Sequence, residues 1–397
     1  MDFLKKAKEM EPEIVENRHY LHRHAELSYE ERETTAFLVS ELEKMGIPVV
    51  TFEDYTGCIA VIEGAKPGKT LLLRADIDAL PIEEKSGVEF SSVHPGVMHA
   101  CGHDCHAAML LGAARLLWES RETLAGRVKL LFQAAEEVFV GSHYYVDRGY
   151  LEDVDAAMGV HVWPTAEQGT AVVLDGPVMA SCDNFVLTVK GVSAHGSTPN
   201  EGKDAIVAAS AIICALQTVV SRENSPIAPL AVTVGKVRSG TQFNIVADTA
   251  VLEGTVRTYS SQTRDLAEES IRRIVQGTAM AMGCEADLEY KRLEPPVCNN
   301  DPHLNRIARE AARTVFGENG LAKGSPATGS EDFSYIMEYI PSSIFVLLGI
   351  RDEESGCTCP VHNEGFRVND KALAGGAAFY AQFAAMYLNG GEEGEDR

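Results

Sequence analysis

The sequence predicts an α/β protein in two parts, a covered and largely parallel sheet with a smaller α+β domain inserted into it. Three observations carry this prediction. Short apolar runs alternate with helical patterns toward both ends of the chain. The middle runs β-α-β-β-α-β, the order of a ferredoxin-like unit. A length of 397 residues with 45% hydrophobic content is ample for two cores.

Residues 1–45 carry helical periodicity and many charges, and the opening 20 residues read as a surface helix. "GCIAVIEG" (57–64) and "KTLLLRADID" (69–78) read as strands, and "DCHAAMLLGAARLLW" (104–118) as a helix with an apolar stripe. "RVKLLFQA" (127–134), "DAAMGVHV" (155–162) and "SSIFVLLG" (342–349) are further buried strands. In the middle, strands are expected at 183–191, 229–237, 247–259 and 284–292, with helices at 203–221 and 261–282. The first of these helices holds the longest apolar run, 205–220, which reads as a buried helix and not a membrane span. The expected division is 1–179 and 293–397 for the larger domain and 180–292 for the insert, with a disordered tail at 390–397.

A formal net charge of -23, from 35 basic and 58 acidic residues, argues against nucleic acid or an anionic membrane as partner. No secretory leader pattern opens the chain. The nine cysteines are scattered and odd in number, which points to reduced thiols and a cytoplasmic setting. Neither G-x-G-x-x-G nor a Walker A pattern occurs, so nucleotide binding has no support.

The chemistry concentrates at strand ends. "HACGHDCH" offers Cys101 and His103 as C-x-H, while the C-x-x-x-C spacing of Cys101 and Cys105 does not suit a redox pair. His106 falls inside the following helix, where packing or capping is the expectation, and spacing leaves His99 undecided. Glu136 and Glu137 adjoin each other just past a buried strand, so one can coordinate a metal while the other faces the water. His161 ends another strand and His362 follows a third. Open α/β sheets place their sites at such carboxyl ends. Thiolate, imidazole and carboxylate together suit zinc or a similar metal. Cys101, His103, Glu137, His161 and His362 exceed the needs of one tetrahedral ion and would serve a two-metal site with a bridging ligand. Glu136 is the natural general base, and Asp78 could orient an imidazole ligand.

With these residues stand "LLLRADIDALPI", "MHACGHDCHAAMLLGAA", "FQAAEE", "GVHVWP", "GVSAHGSTP", "NIVADTAVLEGTVRT" and "GSEDFSYI". In this order they resemble the M20 metallopeptidase family, and most of all its amidohydrolase branch of N-acyl-amino-acid, hippurate and auxin-conjugate hydrolases. The resemblance spans about residues 15–385. It implies a zinc-peptidase-like catalytic domain with an inserted ferredoxin-like lid. It implies the same five ligands, with Glu136 as base and Asp78 in support, and no ligand role for Asp76. It also implies that His195, Asn244 and Arg257 hold the acyl oxygen or the carboxylate of the substrate. The expected cofactors are two divalent ions, zinc first, with manganese or nickel as alternatives. The expected activity is hydrolysis of N-acyl-L-amino acids. A dipeptidase or carboxypeptidase using the same site is the nearest alternative, and a non-catalytic metal-binding relative is a more distant one. By resemblance the chain is a homodimer or higher homo-oligomer joined through the lid. Residues 138–149, "VFVGSHYYVDRG", depart from the small-residue turn of relatives and are expected to alter the packing there.

Overall fold

A computed structural model describes residues 1–390; the rest of the expected disordered tail lies outside the described residues. The chain forms two compact units. The first comprises Met1–Gly176, Cys298–Ser325 and Tyr335–Arg397, and the second Pro177–Val297 with Pro326–Ser334. The sequence reading kept 293–397 whole, but Pro326–Ser334 clusters with the second unit.

In chain order the elements begin with α1 (Phe3–Glu9), α2 (Glu11–Arg23), α3 (Arg32–Lys44), β1 (Val49–Thr51), β2 (Cys58–Glu63) and β3 (Lys66–Asp76). Then come α4 (His103–Ser120), β4 (Ala125–Gln133), α5 (Gly141–Asp147), β5 (Ala156–Glu167), β6 (Ala171–Val172) and β7 (Gly176–Met179). The middle holds β8 (Cys182–Lys190), β9 (Ala194–His195), α6 (Ala205–Thr218), β10 (Leu230–Ser239), β11 (Ile245–Val246), β12 (Thr249–Thr258), α7 (Ser261–Ala281) and β13 (Glu285–Glu294). The chain closes with β14 (Val297–Asn299), α8 (Pro302–Phe316), α9 (Phe333–Tyr339), β15 (Ser343–Arg351) and α10 (Leu373–Asn389).

The first unit is built on a seven-stranded sheet ordered β1-β2-β4-β3-β5-β15-β6. Its centre, β4-β3-β5-β15, is parallel. Central strands are apolar along almost every residue because helices cover the sheet, as the buried runs Leu71–Ala75 and Leu130–Phe132 show. The chain leaves β3 toward β4 on one side and returns past it to β5 on the other, a topological switch at which the strand ends diverge. Helix α4 packs on α2 and α10. Close approach there needs small residues: a Cβ on Gly112 would meet Ala377 at 2.9 Å and Ile14 at 3.0 Å.

The N-terminal helices are less superficial than the sequence suggested. Ile14, Arg18, Leu21 and His22 share one face of α2, and all four are buried. Arg18 and His22 are accommodated because both bond to Asp104. In the departing segment Tyr145 is fully buried, Tyr144 stacks on Tyr55 at 3.9 Å and His143 stacks on Tyr335 at 3.5 Å.

The second unit is a four-stranded antiparallel sheet ordered β10-β12-β8-β13, with α6 and α7 on one face. This is the ferredoxin-like arrangement that the order β-α-β-β-α-β predicts. Phe185, Leu187 and Val189 face its core at every second position, together with Leu252, Ile271 and Val275. Helix α6 is not buried all round. Ala205, Ala208, Ala209, Ile212 and Leu216 face the core, while Ile206 is 45% and Val207 53% exposed.

Candidate metal centre

Five chain segments bring the candidate side chains to the carboxyl end of the large sheet. Beyond β3 the chain carries Asp78, which is buried. Cys101 immediately precedes Gly102, the residue that caps α4. Gly102 adopts φ +91°, and a Cβ there would lie 2.5 Å from Val162 Cγ2, so only glycine fits. His103 then opens the helix.

Beyond β4, Ala135 takes a left-handed conformation with φ 60° before the short 3₁₀ turn Glu136–Val138. Successive residues on such a turn point about 120° apart, so the two glutamates face different directions. Two buried carboxylates hold this turn by its backbone. Glu31 accepts the Ala135 N–H at 2.8 Å, and Asp78 accepts the Glu137 N–H at 3.0 Å. His161 comes from β5, and His362, with φ 61°, donates its backbone N–H to the Ala100 carbonyl at 2.8 Å.

The side chains converge on Cys101. Its Sγ lies 3.3 Å from His161 Nε2 and 3.3 Å from His362 Nε2. His362 Nε2 is 3.4 Å from Glu137 Oε1, and His103 Nε2 is 3.9 Å from the same oxygen. Two triads therefore form, Cys101–His103–His161 and Cys101–Glu137–His362, with Cys101 common to both. Glu136 adjoins them, with Oε2 4.0 Å from His103 Nε2. The imidazole tautomers are fixed from behind. His103 Nδ1 donates to the Asp78 carbonyl at 2.9 Å and His161 Nδ1 to the Val162 carbonyl at 2.7 Å, which turns both Nε2 atoms inward.

Electrostatics call for a cation here. Burial works against a charged His103, yet the carboxylates of Asp76, Asp78 and Glu137 outweigh it and push the imidazole up to about 10. Burial, followed by the charges of Glu137, Glu136 and Asp76, drives the Cys101 thiol well above its usual range. A thiolate at this position needs positive charge beside it. His103 Nε2 and Glu137 Oε1 are buried and meet no hydrogen-bond partner. Three imidazole nitrogens, a thiol and a carboxylate aimed at one place, two of them orphaned, fit a pair of divalent cations of the zinc type.

The structure thus gathers Cys101, His103, Glu137, His161 and His362, with Glu136 and Asp78 beside them. Of the remaining expected residues, His195 lies on β9 opposite Ile245 of β11, Asn244 directly precedes that strand, and Arg257 lies on β12 opposite Ala231. All three belong to the second unit. His99 is buried outside both triads, and burial lowers its pKa to about 4. Two residues escaped the sequence reading. Glu31 stood in the charged run "YEERET" with no local sign that it caps the Ala135 turn. His106 was expected to pack or cap, but its ring bonds Asp76 and the backbone of Val162.

A parallel-sheet domain whose strand ends gather two triads that share a thiol and could hold metal ions is the framework of a class of dinuclear hydrolases. Residues 72–386 match the profile of peptidase family M20/M25/M40, and the chain belongs to this family. It is 38% identical to N-acetyl-L-cysteine deacetylase of Bacillus subtilis (strain 168), over 97% of this chain and 90% of that protein. It is 35% identical to thermostable carboxypeptidase 2 of Saccharolobus solfataricus, over 98% of this chain and all of that one (100%). Among solved structures it resembles the YXEP protein of Bacillus subtilis, described as a dinuclear metal binding peptidase from the M20 family. That match has a TM-score of 0.85 and 34% identity, covering 96% of this chain and 99% of the other.

Proposed function

We propose that the protein is a metal-dependent amidohydrolase that cleaves N-acyl-L-amino acids, with acetyl, benzoyl or similar acyl groups, to a carboxylate and a free amino acid. The observation that carries this reading is the pair of triads sharing Cys101, with a second carboxylate, Glu136, on the same turn as the ligand Glu137. Cys101, His103, Glu137, His161 and His362 would hold two divalent ions. The donor set favours Zn²⁺ over Mn²⁺ or Ni²⁺, because thiolate and imidazole are its usual ligands.

When bound, the ions polarise the acyl oxygen and make a water acidic enough to lose its proton near neutrality. Glu136 takes that proton and delivers it to the departing amine. Asp78 keeps His103 in the tautomer that offers Nε2. His195, Asn244 and Arg257 serve the substrate, at its acyl oxygen or carboxylate. The first unit carries catalysis, and the second serves as lid and dimerisation domain. The exposed Ile206 and Val207 of α6 and the edge position of β10 support self-association through that unit. We place the protein in the cytoplasm, in keeping with nine free cysteines.

The similarity to a carboxypeptidase keeps a peptide substrate as the second reading, since the same groups would cut either amide. Glu136 weighs against an inert metal-holding role, because a structural site has no use for an adjacent base. Glu136→Gln is expected to keep its metal and lose about 10²- to 10⁴-fold in turnover of acetyl- and benzoyl-amino acids. Undiminished hydrolysis by that variant would sink the mechanism. Faster cleavage of dipeptides than of acyl-amino acids by the native protein would favour the second reading.

A further inference from the structure

His106 spends both ring nitrogens on distant partners. Its Nδ1 lies 2.5 Å from Asp76 Oδ1, and its Nε2 accepts the Val162 N–H at 2.8 Å. A peptide N–H can only donate, so Nε2 carries the lone pair and the ring proton sits on Nδ1, facing the carboxylate. Asp76 is itself anchored: its Oδ2 accepts from Arg74 Nη1 at 2.6 Å, and Arg74 Nε donates to Gln133 Oε1 at 3.0 Å. Every side chain in this chain of bonds is buried.

Val162 is also the residue on which His161 leans, through the bond from His161 Nδ1 to the Val162 carbonyl at 2.7 Å. The N–H of Val162 is therefore held by His106, and its carbonyl holds His161. The two rings touch, with centroids 4.6 Å apart and planes at 67°. Gly102 closes on the Val162 side chain from a third direction, as the 2.5 Å approach of its missing Cβ shows. Asp76, His103 and His106 lie close enough to resemble a third metal triad. Their bonds show otherwise, because Asp76 is engaged by Arg74 and His106, and neither nitrogen of His106 has a lone pair to spare.

We propose that His106 is a positioning residue for His161: anchored on Asp76, it fixes the backbone at Val162 so that His161 presents Nε2 toward a metal ion beside Cys101. This rests on the reading of Cys101 and His161 as ligands. Without the His106 acceptor, the buried Val162 N–H is left unsatisfied, and the backbone at Val162, whose carbonyl in the next peptide group orients His161, loses its tether on that side.

Two conservative variants separate positioning from packing. In His106→Gln the side-chain oxygen can still reach the Val162 N–H, whereas the bond to Asp76 is lost. In His106→Asn the amide nitrogen can still donate to Asp76, whereas Val162 loses its acceptor. Two quantities are read: zinc affinity by competition with a chromophoric chelator, and hydrogen–deuterium exchange of the Val162 amide in metal-free protein. Positioning requires His106→Asn to speed exchange at Val162 and weaken zinc binding by about 10- to 100-fold, with His106→Gln much closer to the native protein. Equal losses in both variants, or slow Val162 exchange in His106→Asn, overturn the proposal. Should His106→Asn not fold, ¹⁵N-histidine spectra of the metal-free native protein decide, with the His106 signal assigned from its loss in His106→Gln: an Nδ1–H tautomer supports the proposal and an Nε2–H tautomer ends it. The exchange and tautomer readings need no metal. Failure of the ligand assignment would instead appear as native zinc affinity in Cys101→Ser and His161→Ala.

Discussion

The carboxyl end of the large sheet and the β9–β11 pair of the second unit carry similar residues under opposite conditions. Asp76, Asp78, His103, His106 and His161 are all buried, and bonds between distant parts of the chain tie them together, His103 to Asp78 and His106 to Asp76 and Val162. His195 is exposed, and its Nδ1 bonds Ser197, two residues on. Asn244 is exposed too, and its carbonyl accepts the Gly196 N–H at 2.7 Å. In the first region a functional side chain is part of the fold, held by groups whose own desolvation depends on it. In the second the fold closes without the functional side chain. Substitutions should therefore change stability and function together in the first region, and function alone in the second.

The largest expected effect lies behind the proposed metal residues. Arg18 bonds Asp104 at 3.0 Å, the Val368 carbonyl at 2.8 Å and Asp370 at 2.5 Å, and Asp104 directly follows His103. Arg18→Met leaves a buried carboxylate without its main counter-charge, so a loss of about 3–5 kcal/mol is expected by urea unfolding. Zinc affinity should fall with it. A loss under about 1 kcal/mol would show that the buried network is not what holds the N-terminus of α4.

Gly102→Ala comes next. The left-handed backbone costs an alanine roughly 1–2 kcal/mol, and the contact with Val162 adds to this, for about 2–3 kcal/mol in all. Because Val162 orients His161, metal binding should weaken as well. A destabilised variant with native zinc affinity would separate the packing of this region from its function.

How far the sequence reveals each region follows from the range of its interactions. Strand and helix order was legible because hydrophobic period is a local property, from β3 and α4 through the whole ferredoxin-like unit. The proposed ligands Cys101, His103 and Glu137 could be picked out because they stand next to a helix start or a strand end, although His161 lies within β5 and His362 well beyond β15. What holds them could not. Arg18 and His22 occur in a charged run that reads as surface, and only their spacing from Ile14 and Leu21 hints that they share the buried face. Glu31 and His106 answer to partners 104 and 56 residues away. The apolar α6 erred the other way: hydrophobicity suggested full burial, although its core contacts recur only every three to four positions.

His22 offers a pH-dependent version of the comparison. Burial opposes its charge, but Asp104 and Glu84 outweigh that and raise its pKa to about 9 from 6.5. A histidine with a raised folded-state pKa stabilises fully below about pH 6.5, and that contribution fades as pH rises through about 9. His22→Gln is therefore expected to lose about 2 kcal/mol at pH 6, with the difference from native shrinking toward pH 9.5. A gap that is constant with pH would mean that His22 contributes packing and not charge.

The smallest stability effect should come from the other side of the comparison. His195→Ala removes an exposed ring whose Nδ1 bonds only the backbone and hydroxyl of Ser197. Surface substitutions of this kind stay within about 0.5 kcal/mol, and zinc content should not change, since no ligand is touched. If His195 serves the acyl oxygen as proposed, turnover should nonetheless fall by about 10²- to 10³-fold, the effect of losing one donor to a developing oxyanion. Stability and metal content without activity is the signature that sets this region apart, because no substitution behind the metal residues should produce it. A His195→Ala protein that is fully active would remove the histidine from the reaction, while one that also lost its zinc would mean that the two regions are coupled in a way their separate hydrogen bonds do not require.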